Sequence, residues 1–256
     1  MQRELLHGSE PGSCSSHWRF RPLYNTECRQ DTRRQFDATI MALSPDHLVY
    51  AAPELEEAVD DLTVRFGVRP SAGGKHPNGT HNALLALSNS CYLEVIAPDP
   101  EQASQQSERP LAFGLDWLKI PKLVTWAVLA PSLEEVARAS QAAGYDPGVV
   151  VEGGRVRPDG AQLQWRTTKR PETQEGWPPP GDGIVPFLIE WGADTPHPSI
   201  TSAQGVRLLE LSLFHPRPAE VQPMLSALHI DILVTAGPAP AMRARLETPL
   251  GIVTLA

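Results

Sequence analysis

Along this chain the apolar and polar positions change period several times, and each change marks an element. Asp46–Ala52 reads as a strand, apolar from Leu48 onward. Leu55, Ala58, Val59, Leu62 and Phe66 then recur at helical spacing, and Gly67 ends the helix as a glycine past the last turn should. His81–Ser88 and Cys91–Ala97 read as strands joined at Asn89-Ser90. The Gly-rich stretch Ser71–Thr80 fits an irregular strand closed by Asn78-Gly79, a strong hairpin signal.

The same order then returns. Leu123–Ala130 is a strand, and Ser132–Ala143 is a helix with Ser132 and Glu135 as a capping box. Gly148–Arg155 and Ala161–Thr168 are strands around Pro158-Asp-Gly160, and Ile184–Trp191 follows. The two stretches match residue by residue. Laying His47–Val59 over Thr125–Ala137 superimposes Ala-Pro, Leu and Glu-Glu. Gly67-Val-Arg-Pro70 answers Gly144-Tyr-Asp-Pro147, Gly73-Gly-Lys75 answers Gly153-Gly-Arg155, and Glu94 answers Glu190. A repeat of this length is a statement about the fold. A degenerate third unit follows: Val206–His215, a helix at Ala219–Leu228, then strands at Ile230–Thr235, Met242–Leu246 and Gly251–Leu255. The predicted class is α+β, with tandem βαβββ units forming curved mixed sheets around a central cleft. Residues 44–194 would be the paired units and 195–256 the third, packed on them.

Two segments stand apart. Residues 1–40 mix Arg, Ser, Gln and Cys without apolar periodicity, which predicts disorder. Met41 precedes the first strand, so the segment before it is either an over-extended reading frame or a native tail. Lys169–Gly183, rich in Pro, Gly and Glu, has no counterpart in the first unit; beside a cleft it is a lid, a specificity element or a solvated decoration.

Composition narrows the function. The 256 residues suffice for a sizeable core, and a net charge of −8 argues against a general nucleic-acid binder. Three cysteines without metal-type spacing predict no disulfide framework and fit a cytoplasmic protein. No apolar run reaches membrane-spanning length, and the N-terminus lacks a signal peptide's apolar core.

Asp46-His-Leu-Val-Tyr50, Gly73-Gly-Lys-His-Pro77 with Gly79-Thr-His-Asn82, and Tyr92-Leu-Glu-Val-Ile96 fall in order. With the doubled βαβββ pattern they resemble the vicinal-oxygen-chelate superfamily of glyoxalases, extradiol dioxygenases and bleomycin-resistance-type binding proteins, and specifically its glyoxalase-like branch. The resemblance implies metal ligands on the first and last strand of each paired unit. Those positions are His47 and Glu94, then Thr125 and Glu190. Thr125 departs from the pattern, because a neutral hydroxyl stands where relatives place His or Gln; this disfavours an extradiol iron site. His47, Glu94 and Glu190 would still make a site for a divalent ion (zinc, nickel, manganese or iron) that polarises a substrate carbonyl. By the same resemblance Glu190 would double as the base. The competing reading is a half-buried strand histidine with paired or solvated glutamates.

Further candidates come from residue type. Lys75, His76, Thr80 and Asn82 are expected to bind substrate, and His81 to act as acid or base or to replace the ligand missing at Thr125; otherwise they satisfy a surface hairpin. Trp126, Trp165, Trp177 and Trp191 either line an aromatic pocket, with Trp126 as the substrate-binding candidate, or belong to the core. Arg155, Arg157 and Arg166 bind an acidic substrate or face water, and His215 and His229 are expected to be structural. The expected function is a metal-dependent lyase or isomerase acting on a small molecule with vicinal oxygens through an enediolate. The alternative is a non-catalytic, sequestering small-molecule binder of the same fold. Neither a nucleic-acid nor a membrane partner is expected. A homodimer stays open, since an unpaired third unit leaves an edge needing cover.

Overall fold

The computed structural model describes residues 43–105, 110–157, 159–170 and 179–256. The expected disordered segment 1–40 and Trp177 lie outside these residues.

The first unit is β1 (Pro45–Ala51), α1 (Leu55–Phe66), β2 (Ser71–Lys75), β3 (Thr80–Ser88) and β4 (Cys91–Pro98). The second is β5 (Lys122–Leu129), α2 (Leu133–Ala142), β6 (Val149–Val156), β7 (Gln162–Lys169) and β8 (Phe187–Trp191). A short helix, α3 (Pro198–Thr201), leads to β9 (Arg207–His215), α4 (Pro218–Ala227), β10 (Val234–Ala236), β11 (Ala241–Thr248) and β12 (Gly251–Leu255). The architecture is α+β with curved mixed sheets. β1 and β4 are parallel, as are β5 and β8, while the hairpin partners are antiparallel.

Local chemistry sets the helix ends. α1 buries Leu55, Ala58, Val59, Leu62 and Phe66, and stops where Gly67 turns left-handed (φ 72°) and donates its N–H to the Thr63 carbonyl. α2 starts at Ser132, whose hydroxyl accepts from the Glu135 N–H.

The strands of the two units close into one barrel, in the order β1-β4-β3-β2-β6-β7-β8-β5. Its two seams are unequal. β1 and β5 pair along their length, whereas β2 and β6 meet through the single pair Lys75↔Val156. β9 to β12 form a separate four-stranded sheet, β10-β9-β11-β12. The main core joins Leu48, Trp126 and Leu188 of the barrel strands to the helices and to Leu213 and Leu246 of that sheet. A smaller apolar cluster gathers Val49, Ala51, Ile96, Leu111, Leu115 and Val124 with Phe113 and Phe187.

Candidate functional site

Strand pairing fixes which side chains correspond in the two halves. Ala52 donates its N–H to Ile96, and its repeat partner Ala130 donates to Ile189. Val49 lies opposite Glu94, and its repeat partner Ala127 lies opposite Phe187. The spatial counterpart of Glu94 is therefore Phe187. The sequence match to Glu190 is displaced by an odd number of residues, which sends the side chain to the other face of the strand.

Between the halves lies a cavity of about 450 Å³. On its wall β4 places Glu94, a carboxylate only 8% exposed. Glu94 Oε1 accepts from Asn82 Nδ2 on β3 at 2.6 Å. Its other oxygen lies 3.8 Å from His47 Nε2 on β1, and His76 Nε2 lies 4.0 Å from Oε1. Both imidazoles are held from behind. His47 Nδ1 is 2.6 Å from Asp46 Oδ1, and His76 Nδ1 is 2.8 Å from Thr80 Oγ1. Thr80 donates to Asn78 Oδ1 at 3.2 Å, so its oxygen is left to accept from His76 Nδ1–H. That tautomer leaves the His76 Nε2 lone pair facing Glu94.

Asp46 is fully buried and anchors more than His47. Its Oδ2 accepts from Trp191 Nε1 and meets His197 Nε2, each at 2.9 Å. Burial alone would raise its pKa, but hydrogen bonds from His197 and His47 outweigh burial and hold the carboxyl well below the usual range. Burial also lowers the pKa of His76, with Glu94 opposing, and raises that of Tyr92 far above the tyrosine norm. Tyr92 stacks on His47 with ring centroids 4.7 Å apart, and Phe187 meets the same ring edge-on at 5.5 Å. Trp165 and Trp191 complete an aromatic wall, 5.6 Å apart. Gly153 makes room for Trp165 and Gly73 for Asn82, since a Cβ at either glycine would collide with that side chain.

The structure thus brings His47, Glu94, His76, Thr80 and Asn82 to one cavity, which Arg155, Trp165 and Trp191 also line, and places Glu190, His81, Lys75 and Trp126 elsewhere. Glu190, expected as metal ligand and base, faces α2. It accepts from the Leu133 N–H at 2.8 Å and from Arg166 at 2.6 Å, so it steadies a helix N-terminus. His81 alternates with Thr80 and Asn82 along β3 and points to the outer side, toward a second cavity that Lys75 also lines. Lys75 pairs there with Glu101 and with Asp99. Trp126 is fully buried in the main core and donates to the Ile184 carbonyl at 2.8 Å. Thr125 Oγ1 is buried without a hydrogen-bond partner among the described residues. Sequence reasoning gave no role to Asp46, Tyr92 or His197. The Asp46-His47 pair was a visible signal for the first, but nothing in the sequence links His197 to it.

Members of the superfamily commonly use divalent metal ions. The donors here do not fit such an ion. The two positions of the second half carry Thr125 and Phe187, Glu190 faces outward, and among the described residues no three His, Cys, Asp or Glu side chains form a group able to hold one.

Paired βαβββ halves closed around a shared cavity define a member of the vicinal-oxygen-chelate superfamily. Within it, a family described as a glyoxalase-like domain matches residues 46–229, and the chain belongs to that family. No curated protein sequence matches the chain. Among solved structures, a hypothetical protein from Staphylococcus aureus is 13% identical with a TM-score of 0.57, over 78% of this chain and 88% of that one. Methylmalonyl-CoA epimerase from Mycobacterium tuberculosis is 16% identical with a TM-score of 0.35, over 66% and 96% of the two chains. A methylmalonyl-CoA epimerase in complex with methylmalonyl-CoA and NH4+ is 16% identical with a TM-score of 0.38, over 60% and 99%. At these identities the likeness concerns the fold alone. No helix among the described residues is long and apolar enough to cross a membrane.

Proposed function

We infer that the protein is a lyase- or isomerase-type enzyme that moves a proton on a small molecule with vicinal oxygens. The observation that carries this reading is the Glu94 carboxylate on the cavity wall, with an imidazole Nε2 on either side. Glu94 is the group to take a C–H proton beside a carbonyl. Asp46 engages Nδ1 of His47, so Nε2 is the nitrogen offered to the ligand, and the buried carboxylate stabilises the imidazolium whenever Nε2 carries a proton. His47 then exchanges that proton with the developing enediolate oxygen. His76, kept neutral by burial, accepts from the neighbouring substrate hydroxyl through Nε2. A carboxylate base beside a neutral imidazole is a known arrangement for this chemistry. The expected divalent ion has no complete donor set, so no step is assigned to it.

The test is proton NMR in D2O with hydroxyacetone, 2-oxobutyrate and mandelate. The unmodified protein should exchange the C–H next to the oxygenated carbon for deuterium, and Glu94→Gln should lose that exchange. Ligand binding without exchange, or equal exchange in the Glu94→Gln protein, overturns the reading; the first outcome favours sequestration. Stoichiometric zinc, nickel, manganese or iron that is retained by the protein and released by His47→Ala overturns the metal-free assignment.

A further inference from the structure

Arg155 is a buried charge on the cavity wall. It sits on β6, in the second half, and its side chain crosses the weak seam to donate from Nη1 to the Gly73 carbonyl on β2. It is 7% exposed and lines the cavity. A guanidinium has five N–H donors, and Gly73 is its one hydrogen-bond acceptor among the described residues. No carboxylate among them lies within ion-pair distance, and Glu94 acts on it only from farther away. A buried cation normally has a partner, because leaving water unpaired is costly. Here the missing partner has a cavity to arrive through.

We propose that Arg155 is the anchor for a carboxylate on the ligand, whose apolar body lies against Trp165, Trp191 and Phe187. The guanidinium fork matches the two coplanar oxygens of a carboxylate, and Gly73 fixes its orientation. The ligand class is then a small carboxylic acid with an apolar body and oxygen substituents within reach of Glu94. This rests on the cavity being the ligand site of the proton transfer proposed above, and names the class of substrate it takes. Arg155 is a specificity residue, and no proton passes through it.

The experiment reads binding rather than turnover, by thermal shift and calorimetry with matched ligands: phenylacetate against phenylacetamide, hexanoate against hexanamide, and phenyl phosphate. Each is run on the unmodified chain, on Glu94→Gln, and on Arg155→Met and Arg155→Lys. The carboxylates should raise the melting temperature and the amides should not. Arg155→Met should weaken carboxylate binding about tenfold or more, consistent with loss of a charged hydrogen-bond pair, and leave amide binding unchanged. Arg155→Lys should recover only part of it. Equal binding of acid and amide, no shift from any carboxylate at millimolar concentration, or a response to phenyl phosphate alone overturns the proposal. If Arg155→Met fails to fold, the acid–amide comparison on the unmodified chain decides. Acid-selective binding in the absence of deuterium exchange sinks the enzyme reading and leaves the anchor standing; exchange without acid selectivity does the reverse.

Discussion

The two halves of the barrel share a fold and differ in what they put inside it. Equivalent strand positions carry His47 and Glu94 in the first half, and Thr125 and Phe187 in the second. One half supplies a carboxylate and two imidazoles. The other supplies aromatic wall and, from β6, a buried cation. Duplication fixed the backbone frame because the hydrogen-bond ladders of both halves are needed to close the barrel. It places no such demand on the inward side chains, so the two halves can differ in the groups they turn into the cavity.

The largest expected effect tests this division directly. Glu94→Gln should slow proton exchange by about 10² to 10⁴-fold, the usual worth of a positioned base. Glu190→Gln should change it by less than about threefold, since the Glu190 carboxylate bonds the α2 N-terminus and Arg166, away from the cavity. Equal losses in the same D2O assay would reinstate the sequence pairing of the two glutamates.

Next come the tryptophans. Trp126→Ala should cost about 3–5 kcal/mol in chemical denaturation, because a fully buried indole leaves a cavity in the main core. Trp165→Ala, partly exposed on the cavity wall, should cost about 1–2 kcal/mol and weaken ligand binding instead. A reversal of that order would mean that the wall, not the core, holds the second half together.

Asp46→Asn removes the charge that ties His47, His197 and Trp191 together. It should cost on the order of 3 kcal/mol at neutral pH. The folded-state pKa of Asp46 lies below its unfolded value near 3.9, so its contribution is complete above that value and fades as pH falls toward the folded one. The stability gap between the two proteins, followed by denaturant titration, should therefore narrow below about pH 4. A gap that widens there would assign the effect to some other group.

The smallest effect is at the counterpart of His47. Thr125→Val removes a buried hydroxyl that has no partner among the described residues, and should be neutral or stabilising by up to about 1 kcal/mol. Clear destabilisation would show that the hydroxyl has a partner, such as an ordered water.

Much of the fold was legible. Leu55, Ala58, Val59, Leu62 and Phe66 announced α1 and its buried face, and Ser132 and Gly67 marked helix ends where the structure has them. The site was legible in its first half, where alternation along Cys91–Ile96 put Tyr92 and Glu94 on one face. It failed at β8, where a Glu-for-Glu match carried more weight than register, and at Trp126, where residue type gave no sign of which layer the ring would enter.

Hydrophobic periodicity, turn residues and the internal repeat settled the element order by themselves, because these are local properties of the chain. Tertiary structure alone decided which carboxylate reaches the cavity. The pairing of β5 with β8 sets that strand's register, and a shift of three positions turns Glu190 away and brings Phe187 in. Distance along the chain likewise hid the meeting of Asp46 with His197 and the reach of Arg155 to Gly73, since both contacts exist only once the barrel has closed.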